Sequence, residues 1–161
     1  MKAPSAKGAS TRVVRVIKAP RQAIYQAFVD RDAVGSWLPP ENMRGQVHIF
    51  EPREGGRFRM SLIYQHPEHS RRGKTSEDTD TFQGRFVQLV PFEKMVWVVE
   101  FESQEPGFVG EMRITWSLAD ADGGTEVTVL CEGIPPGVRP EDNETGCRSS
   151  LQKLAALVEG G

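Results

Sequence analysis

Residues 112–118 read MRITWSL, a run in which apolar side chains alternate with polar ones. The apolar positions fall on one side of an extended chain: Met112, Ile114, Trp116 and Leu118. A period of two residues is typical of a β-strand with one buried and one solvated face. The run therefore predicts a strand whose apolar face needs a covering element.

The same alternation recurs on both sides of this run. Further strands are predicted around 47–49 and over 58–64, 82–90, 95–101 and 127–132. Val47 and Ile49 are expected to share a face opposite His48. For the strand 82–90, the sequence does not decide which face is buried. Six successive strands with short polar connections predict an antiparallel meander that has one apolar face and one wet face.

The two ends of the chain supply the remaining elements. A β-branched strand is predicted over 12–18, followed by helices over 20–29 and 33–37. Residues 141–158 predict an amphipathic helix with apolar positions at helical spacing: Cys147, Leu151, Leu154, Ala155 and Val158. Only the apolar face of the meander is large enough to be covered by that helix. The predicted class is α+β, in the order β-α-α-β-β-β-β-β-β-α, with a curved antiparallel sheet wrapped around the last helix.

Length and charge limit the class of protein. The chain has 161 residues, enough for one domain, which is expected to span residues 12–161. Residues 1–11 are expected to form a flexible basic tail, since they lack the apolar segment of a signal peptide. A net charge of -2 argues against nucleic-acid binding, and no apolar run is long enough to span a membrane. Two cysteines are too few for a disulfide framework and favour the cytoplasm.

Motifs for catalysis or cofactor binding are weak. His66 and His69 flank Pro67 in a hydrophilic loop, where a solvated loop is favoured over a metal site. No nucleophile stands near a credible histidine in the sequence. Cys131 and Cys147 both point to the expected sheet–helix interface, where free cysteine is more often a small hydrophobe than a reactive thiol. No catalytic residue, metal or cofactor is predicted.

Loop lengths predict where a cavity would open. In a meander, the connections 65–80, 103–108 and 133–140 share one end of the sheet, and they are longer than the turns at the other end. Binding residues concentrate on such loops over a rigid scaffold. Aromatic and Met side chains on the inward faces fit a solid core and a ligand cavity equally well. The mouth of any cavity is expected at the long-loop end.

Several segments, in their order and spacing, resemble a known family. They are APRQAIYQAFVD at 19–30 followed by Trp37-Leu38-Pro39, EPREGGRF at 51–58, VPFEKMVW at 90–97, GGTEVTV at 123–129 and GCRSSLQKL at 146–154. Proteins similar to the activator of heat-shock-protein-90 ATPase share this arrangement, within the SRPBCC group of START-like, birch-pollen-allergen-like helix-grip folds. That family commonly has Trp where this chain has Cys147, and often an aromatic residue at Leu38. The smaller Cys147 side chain would widen the space under the last helix.

The resemblance implies an internal cavity for hydrophobic small molecules and no shared catalytic set. The expected lining combines inward strand positions with positions on the short helix 33–37 and on the last helix: Trp37, Phe58, Met60, Tyr64, Trp97, Phe101, Met112, Trp116, Cys147 and Leu151. Tyr64 and the indole N–H groups of Trp97 and Trp116 are expected to orient the polar end of a small hydrophobic or aromatic ligand.

Two alternatives to ligand binding stay open. A cyclase- or aromatase-like enzyme would use the cavity, with Tyr64 as the inward acid/base group, although a non-enzymatic role is favoured. A regulator of the heat-shock ATPase is the least favoured, because full-length activators use an additional N-terminal domain and only residues 1–11 precede the first predicted strand.

Overall fold

The computed structural model of the protein describes residues 9–64, 79–103 and 105–159. The helices and strands follow the predicted order: β1 (Ala9–Ile17), α1 (Arg21–Val29), α2 (Arg31–Trp37), β2 (Met43–Phe50), β3 (Arg57–Tyr64), β4 (Thr79–Val90), β5 (Lys94–Phe101), β6 (Met112–Ala121), β7 (Gly124–Ile134) and α3 (Pro140–Glu159). A short 3-10 turn, Pro106–Phe108, precedes β6. The predicted α+β helix-grip class is confirmed.

Seven strands form one antiparallel sheet in the order β1-β7-β6-β5-β4-β3-β2. The first strand of the chain therefore pairs with the last, and β2 to β7 form the predicted meander. The C-terminal helix α3 lies against β1, α1 and α2. Its residues Leu151 and Leu154 are completely buried. Among the described residues, no helix combines the length and hydropathy that crossing a bilayer requires.

The first strand begins earlier than predicted. Residues 9–11, expected to belong to the basic tail, are part of β1, where Thr11 pairs with Cys131 of β7. The Thr11 hydroxyl donates a hydrogen bond to Asn143 Oδ1 on α3. Ala9, Ser10 and Thr11 carry no large apolar side chain, so apolar alternation does not mark this part of the strand. The rest of the tail lies outside the described residues.

A β-bulge corrects the predicted face of the second strand. Val47 pairs with Met60, but Ile49 pairs with Arg59, because the register shifts between them. One extra residue in a strand moves every later side chain to the other face. Val47 and Phe50 therefore pack against the core, while Ile49 shares the outer face with Arg59, contrary to expectation.

A second bulge explains why the buried face of β4 could not be predicted. Phe82 and Phe86 point to the core, and the register then shifts between Phe86 and Gln88. After the shift, Leu89 pairs with the buried Met95. Phe82 and Phe86 are at even positions and Leu89 is at an odd one, yet the bulge brings all three side chains to the core face of the sheet.

Hydrogen bonds tie the connection between α2 and β2 to the last helix. The hydroxyl of Ser150 donates to the Leu38 carbonyl, and Lys153 Nζ donates to the Pro39 carbonyl at 2.7 Å. The backbone N–H of Glu41 donates to Ser149 Oγ at 2.7 Å. These bonds fix residues 38–41 against α3, at one end of the sheet.

The outer face carries an ion pair that predicts a pH effect. Arg59 Nε and Nη2 donate to the two carboxylate oxygens of Glu102 at 2.7 and 2.9 Å, and this bonding holds the pKa of Glu102 below its usual value. A depressed carboxylate pKa stabilises the fold above the ordinary pKa, and the effect is lost as pH falls through the folded-state value. Because both side chains are about a third exposed, screening limits the contribution to about 1 kcal/mol or less.

The change Glu102→Gln is therefore expected to lower the free energy of unfolding slightly at pH 7. No difference from the wild type is expected in acid, where the Glu102 carboxyl is protonated. Urea denaturation of both proteins at the two pH values measures this. A stability difference of the same size at both would contradict the assignment of the effect to the ion pair.

Candidate functional site

A pocket of about 630 Å³ opens between the sheet and α3. It lies at the end of the sheet where the mouth was expected, since residues of the connections 105–111 and 135–139 contribute to its lining. The segment 65–78, part of the third long connection, lies outside the described residues. Residues 40–42, fixed against α3, form a further part of the wall.

Apolar side chains of three neighbouring strands, β4 to β6, and one loop cover much of the sheet side of the pocket. They include Phe82, Trp97, Val99, Phe101, Phe108, Met112, Ile114 and Trp116. Trp116 contacts Trp97 with ring centroids 5.4 Å apart, and Phe28 of α1 packs against Trp116 at 5.1 Å. Such aromatic contacts hold the rings in fixed orientations. The floor of the pocket is therefore apolar and built from rings that pack against one another.

Two of the three tryptophans keep an unused hydrogen-bond donor. The Nε1 atoms of Trp97 and Trp116 are buried and have no acceptor among the described residues. Trp37 is equally buried, yet its Nε1 donates to the Ala27 carbonyl at 2.8 Å. Ala27 lies in the last turn of α1, where helix carbonyls lack an intrahelical partner. Trp97 and Trp116 line the pocket and Trp37 does not.

Two thiols meet on the helix side of the pocket. Cys131 on β7 and Cys147 on α3 both line it, with their sulfur atoms 3.8 Å apart. Hydrogen bonding from the Cys147 thiol, together with Thr11 and Asn143, lowers the pKa of Cys131 despite its burial. The pKa of Cys147 is raised, because its thiol proton is held in that bond and the group is desolvated. A first thiolate is thus favoured on Cys131 and a second is strongly disfavoured.

Polar groups line the rim of the pocket. Tyr64 and Asp80 lie at the adjoining ends of β3 and β4, and Asp80 is only 2% exposed. Other charged lining residues are Glu41, Glu100, Arg139 and Asp142. The described part of the rim therefore carries more carboxylates than cations.

The residues predicted to line a cavity divide into two groups. The pocket brings together Tyr64, Trp97, Phe101, Met112, Trp116 and Cys147. The structure places the others in the packed core, outside the lining: Trp37, Phe58, Met60 and Leu151. Phe58, for instance, stacks on Phe86 with centroids 5.5 Å apart. Alternation identifies the inward face of a strand but not how deep in the core each side chain lies.

Sequence reasoning missed Asp80. It falls in the predicted loop 65–80, although it precedes Phe82 by two residues and so continues the same inward alternation. Extending the strand by one period would have placed this carboxylate at the pocket. It pairs across the sheet with Leu62, which also lines the pocket.

A serine and a histidine approach each other on the opposite face of the sheet, although the sequence showed no such pair. Ser61 Oγ lies 2.8 Å from His48 Nε2 and 2.8 Å from Thr81 Oγ1. Ser61 is buried and neither Ser61 nor His48 lines the pocket. The contact ties β2, β3 and β4 together on their outer face.

Metal chemistry gains no support from the described residues. Within 9–64, 79–103 and 105–159, no group of three or more His, Cys, Asp or Glu side chains is placed to hold an ion. His66 and His69, for which a solvated loop was favoured over a metal site, lie outside these ranges.

The chain is similar to solved structures over nearly its whole length. A crystal structure of a protein from Chromobacterium violaceum has 34% sequence identity and a TM-score of 0.83, covering 93% of this chain and 96% of that chain. A solution structure of a protein from Arthrobacter aurescens has 12% identity and a TM-score of 0.78, covering 99% and 91%. An AHSA1-like protein from Aeromonas hydrophila has 16% identity and a TM-score of 0.70, covering 94% and 93%. The latter two likenesses concern the fold alone.

A search among curated proteins finds no match to the chain. The family described as Activator of Hsp90 ATPase homolog 1-like protein matches residues 18–159. This range begins at the end of β1 and includes every later helix and strand. The chain therefore belongs to the family of Activator of Hsp90 ATPase homolog 1-like proteins, within the SRPBCC superfamily.

Proposed function

We propose that the protein binds a small hydrophobic or aromatic molecule in the pocket between the sheet and α3, and that a hydrogen-bond acceptor on this molecule meets the indole N–H of Trp97 or Trp116. The observation that carries the proposal is the pair of buried indole donors without an acceptor among the described residues. A buried donor left unsatisfied costs about 1–3 kcal/mol. Because both Nε1 atoms are closed off from solvent in the ligand-free protein, a ligand oxygen meets one of them through a small shift of the side chains at the pocket floor, and it then removes part of that cost.

The dimensions and surface of the pocket support such a ligand. Its volume of about 630 Å³ lies within the range of roughly 300–1,000 Å³ that is usual for small-molecule sites. Phe101, Met112 and Ile114 supply apolar contacts for the body of the ligand. Burial of apolar area drives the association, and the few polar groups fix the orientation of the ligand.

The charges on the rim favour an uncharged acceptor. Glu41, Glu100 and Asp142 bring negative charge to the described lining, and Arg139 brings one positive charge. A carboxylate ligand would meet this acidic surplus as it enters, whereas a ketone or ether oxygen would not. We therefore expect a neutral carbonyl or ether compound to bind better than the corresponding acid.

Thermal denaturation with ligands of one carbon skeleton tests the proposal. An aromatic ketone, the parent hydrocarbon and the corresponding carboxylic acid are added separately at increasing concentrations. The ketone is expected to raise Tm the most, with a stabilisation that grows as RT ln(1 + [L]/Kd). An absence of any shift would contradict binding. Equal shifts for the ketone and the hydrocarbon would contradict anchoring by the indoles.

The changes Trp97→Phe and Trp116→Phe keep an aromatic ring and remove the donor. A hydrogen bond is worth about 0.5–1.5 kcal/mol net, so the variant that loses the anchoring indole should lose up to about tenfold in ketone affinity. Its affinity for the hydrocarbon should change little. Isothermal titration with both ligands measures this difference. If neither variant reduces the difference in affinity between the ketone and the hydrocarbon, neither indole anchors the ligand.

Tyr64 and Asp80 favour an enzyme as the second candidate function. Both line the pocket, so a cyclase- or aromatase-like reaction would find a phenol and a carboxyl group beside the bound molecule. Incubation of bound ligands followed by mass spectrometry tests this candidate. Product formed by the wild type and lost in Tyr64→Phe would support it, and recovery of every ligand unchanged would oppose it.

The cytoplasm remains the proposed location. Two cysteines are too few for a disulfide framework, and this supports a reducing compartment. Fractionation of the source cells with an antibody to the protein tests this location. Recovery with secreted or membrane fractions would contradict it.

A further inference from the structure

Cys131 and Cys147 approach each other across the boundary between the sheet and the last helix. Their sulfur atoms are 3.8 Å apart, and these are the only two cysteines in the sequence. Cys131 is 2% exposed, whereas Cys147 is partly exposed. Both residues line the pocket, which gives a small reagent a route to the sulfur atoms.

The surroundings of the two thiols make them unequal. Asn143 Oδ1 lies 3.8 Å from Cys147 Sγ, one helical turn before it on α3, and also accepts a hydrogen bond from Thr11. The hydrogen bond from the Cys147 thiol, aided by Thr11 and Asn143, brings the pKa of Cys131 below its usual value. Because the thiolate is the reactive form of cysteine, Cys131 is the nucleophile of the pair. Cys147 is the thiol that reacts with Cys131 afterwards.

We propose that Cys131 and Cys147 form a redox site, in which a hydroperoxide entering through the pocket converts the two thiols into a reversible intramolecular disulfide. In the first step the Cys131 thiolate attacks the hydroperoxide. A sulfur–oxygen bond forms, the oxygen–oxygen bond breaks, and the alkoxide takes up a proton to leave as the alcohol, or as water from hydrogen peroxide. Sulfur is oxidised by two electrons to a sulfenic acid, and the hydroperoxide is reduced.

In the second step the Cys147 sulfur attacks the sulfenic sulfur of Cys131. The sulfur–sulfur bond forms, the sulfur–oxygen bond breaks, and hydroxide leaves with the Cys147 proton as water. The sulfurs must approach from 3.8 Å to about 2.05 Å. Since Cys147 lies on α3 and Cys131 on β7, the new bond ties the helix to the sheet along the pocket wall. The oxidised form should therefore have a higher Tm than the reduced form.

The test exposes the full chain, without any pocket ligand, to hydrogen peroxide beside an equal concentration of N-acetylcysteine. We expect both protein thiols to be lost before the reference thiol, with no covalent dimer, and dithiothreitol to restore both. Intact mass should show the loss of two hydrogen atoms. Persistence of both thiols after the reference thiol is consumed would overturn the proposal, and so would a disulfide between two chains.

Two serine variants separate the roles of the sulfurs. In Cys147→Ser the sulfenic acid on Cys131 has no partner, so it should accumulate and be labelled by dimedone. In Cys131→Ser the labelling of Cys147 should be at least tenfold slower. Equal labelling of the two variants would overturn the assignment of Cys131 as the nucleophile. The wild-type measurement stands without the variants, and its outcome is independent of whether the pocket binds the proposed ligand.

Discussion

Replacing Gly84 by alanine is expected to lower the free energy of unfolding by about 3 kcal/mol or more. Gly84 lies in the middle of β4, opposite Val99 of β5. A Cβ atom at this position would overlap the Val98 carbonyl oxygen and lie 2.8 Å from the Val99 Cα atom. These are backbone atoms, so no side chain can rotate away. The two strands would have to part next to Trp97, at the pocket floor.

The change Gly35→Ala is the matched control. A Cβ at Gly35, inside α2, would meet Val47 Cγ2 at 3.5 Å, an ordinary contact. Because alanine is the better helix former, this variant should be more stable than the wild type by about 0.5–1 kcal/mol. Urea denaturation of both variants measures the two changes in the free energy of unfolding, which should have opposite signs. A stability loss in Gly84→Ala no larger than about 1 kcal/mol would show that β4 and β5 are not so close at this point.

Trp37→Phe is expected to cost about 2–3 kcal/mol more than Trp97→Phe. Both changes replace a fully buried indole by the smaller phenyl ring and leave a space of similar size. At Trp37 the change also removes the hydrogen bond to the Ala27 carbonyl, which stays buried at the end of α1. At Trp97 it removes a donor that has no acceptor among the described residues, so part of the packing loss is recovered.

Chemical denaturation of the two ligand-free variants, side by side, checks this difference. Because the chemical change is identical, the comparison cancels most of the loss of ring volume. Equal destabilisation would mean that the Trp97 indole has an acceptor after all. That outcome would remove the main support for a ligand acceptor at this tryptophan.

The order of helices and strands could be predicted because each depends on local periodicity. The alternation in β6 and the helical spacing of Leu151 and Leu154 need no knowledge of their neighbours. The two β-bulges could not be predicted in this way, since a bulge exists only relative to the strand beside it. Ile49 was therefore assigned to the wrong face. The start of β1 could not be predicted for a different reason, because its first residues carry no large apolar side chain.

The candidate site was predictable in part. Alternation placed Trp97 and Trp116 on the inward face, but it cannot show which of the three indoles finds an acceptor. That depends on the last turn of α1 meeting Trp37 in space. The separation of lining residues from core residues is equally non-local. Phe58, Met60 and Tyr64 lie on the same face of β3, yet of these three only Tyr64 lines the pocket.

The most direct test of the central claim is an NMR spectrum of the ¹⁵N-labelled protein that follows its three indole N–H signals during titration with the aromatic ketone. Trp37 is the internal control, since its Nε1 already donates to the Ala27 carbonyl. The proposal predicts that the Trp97 or Trp116 signal moves downfield to a hydrogen-bonded position at saturation, while that of Trp37 stays in place. If the ketone binds and neither the Trp97 nor the Trp116 signal moves, the pocket does not hold its ligand through the indoles.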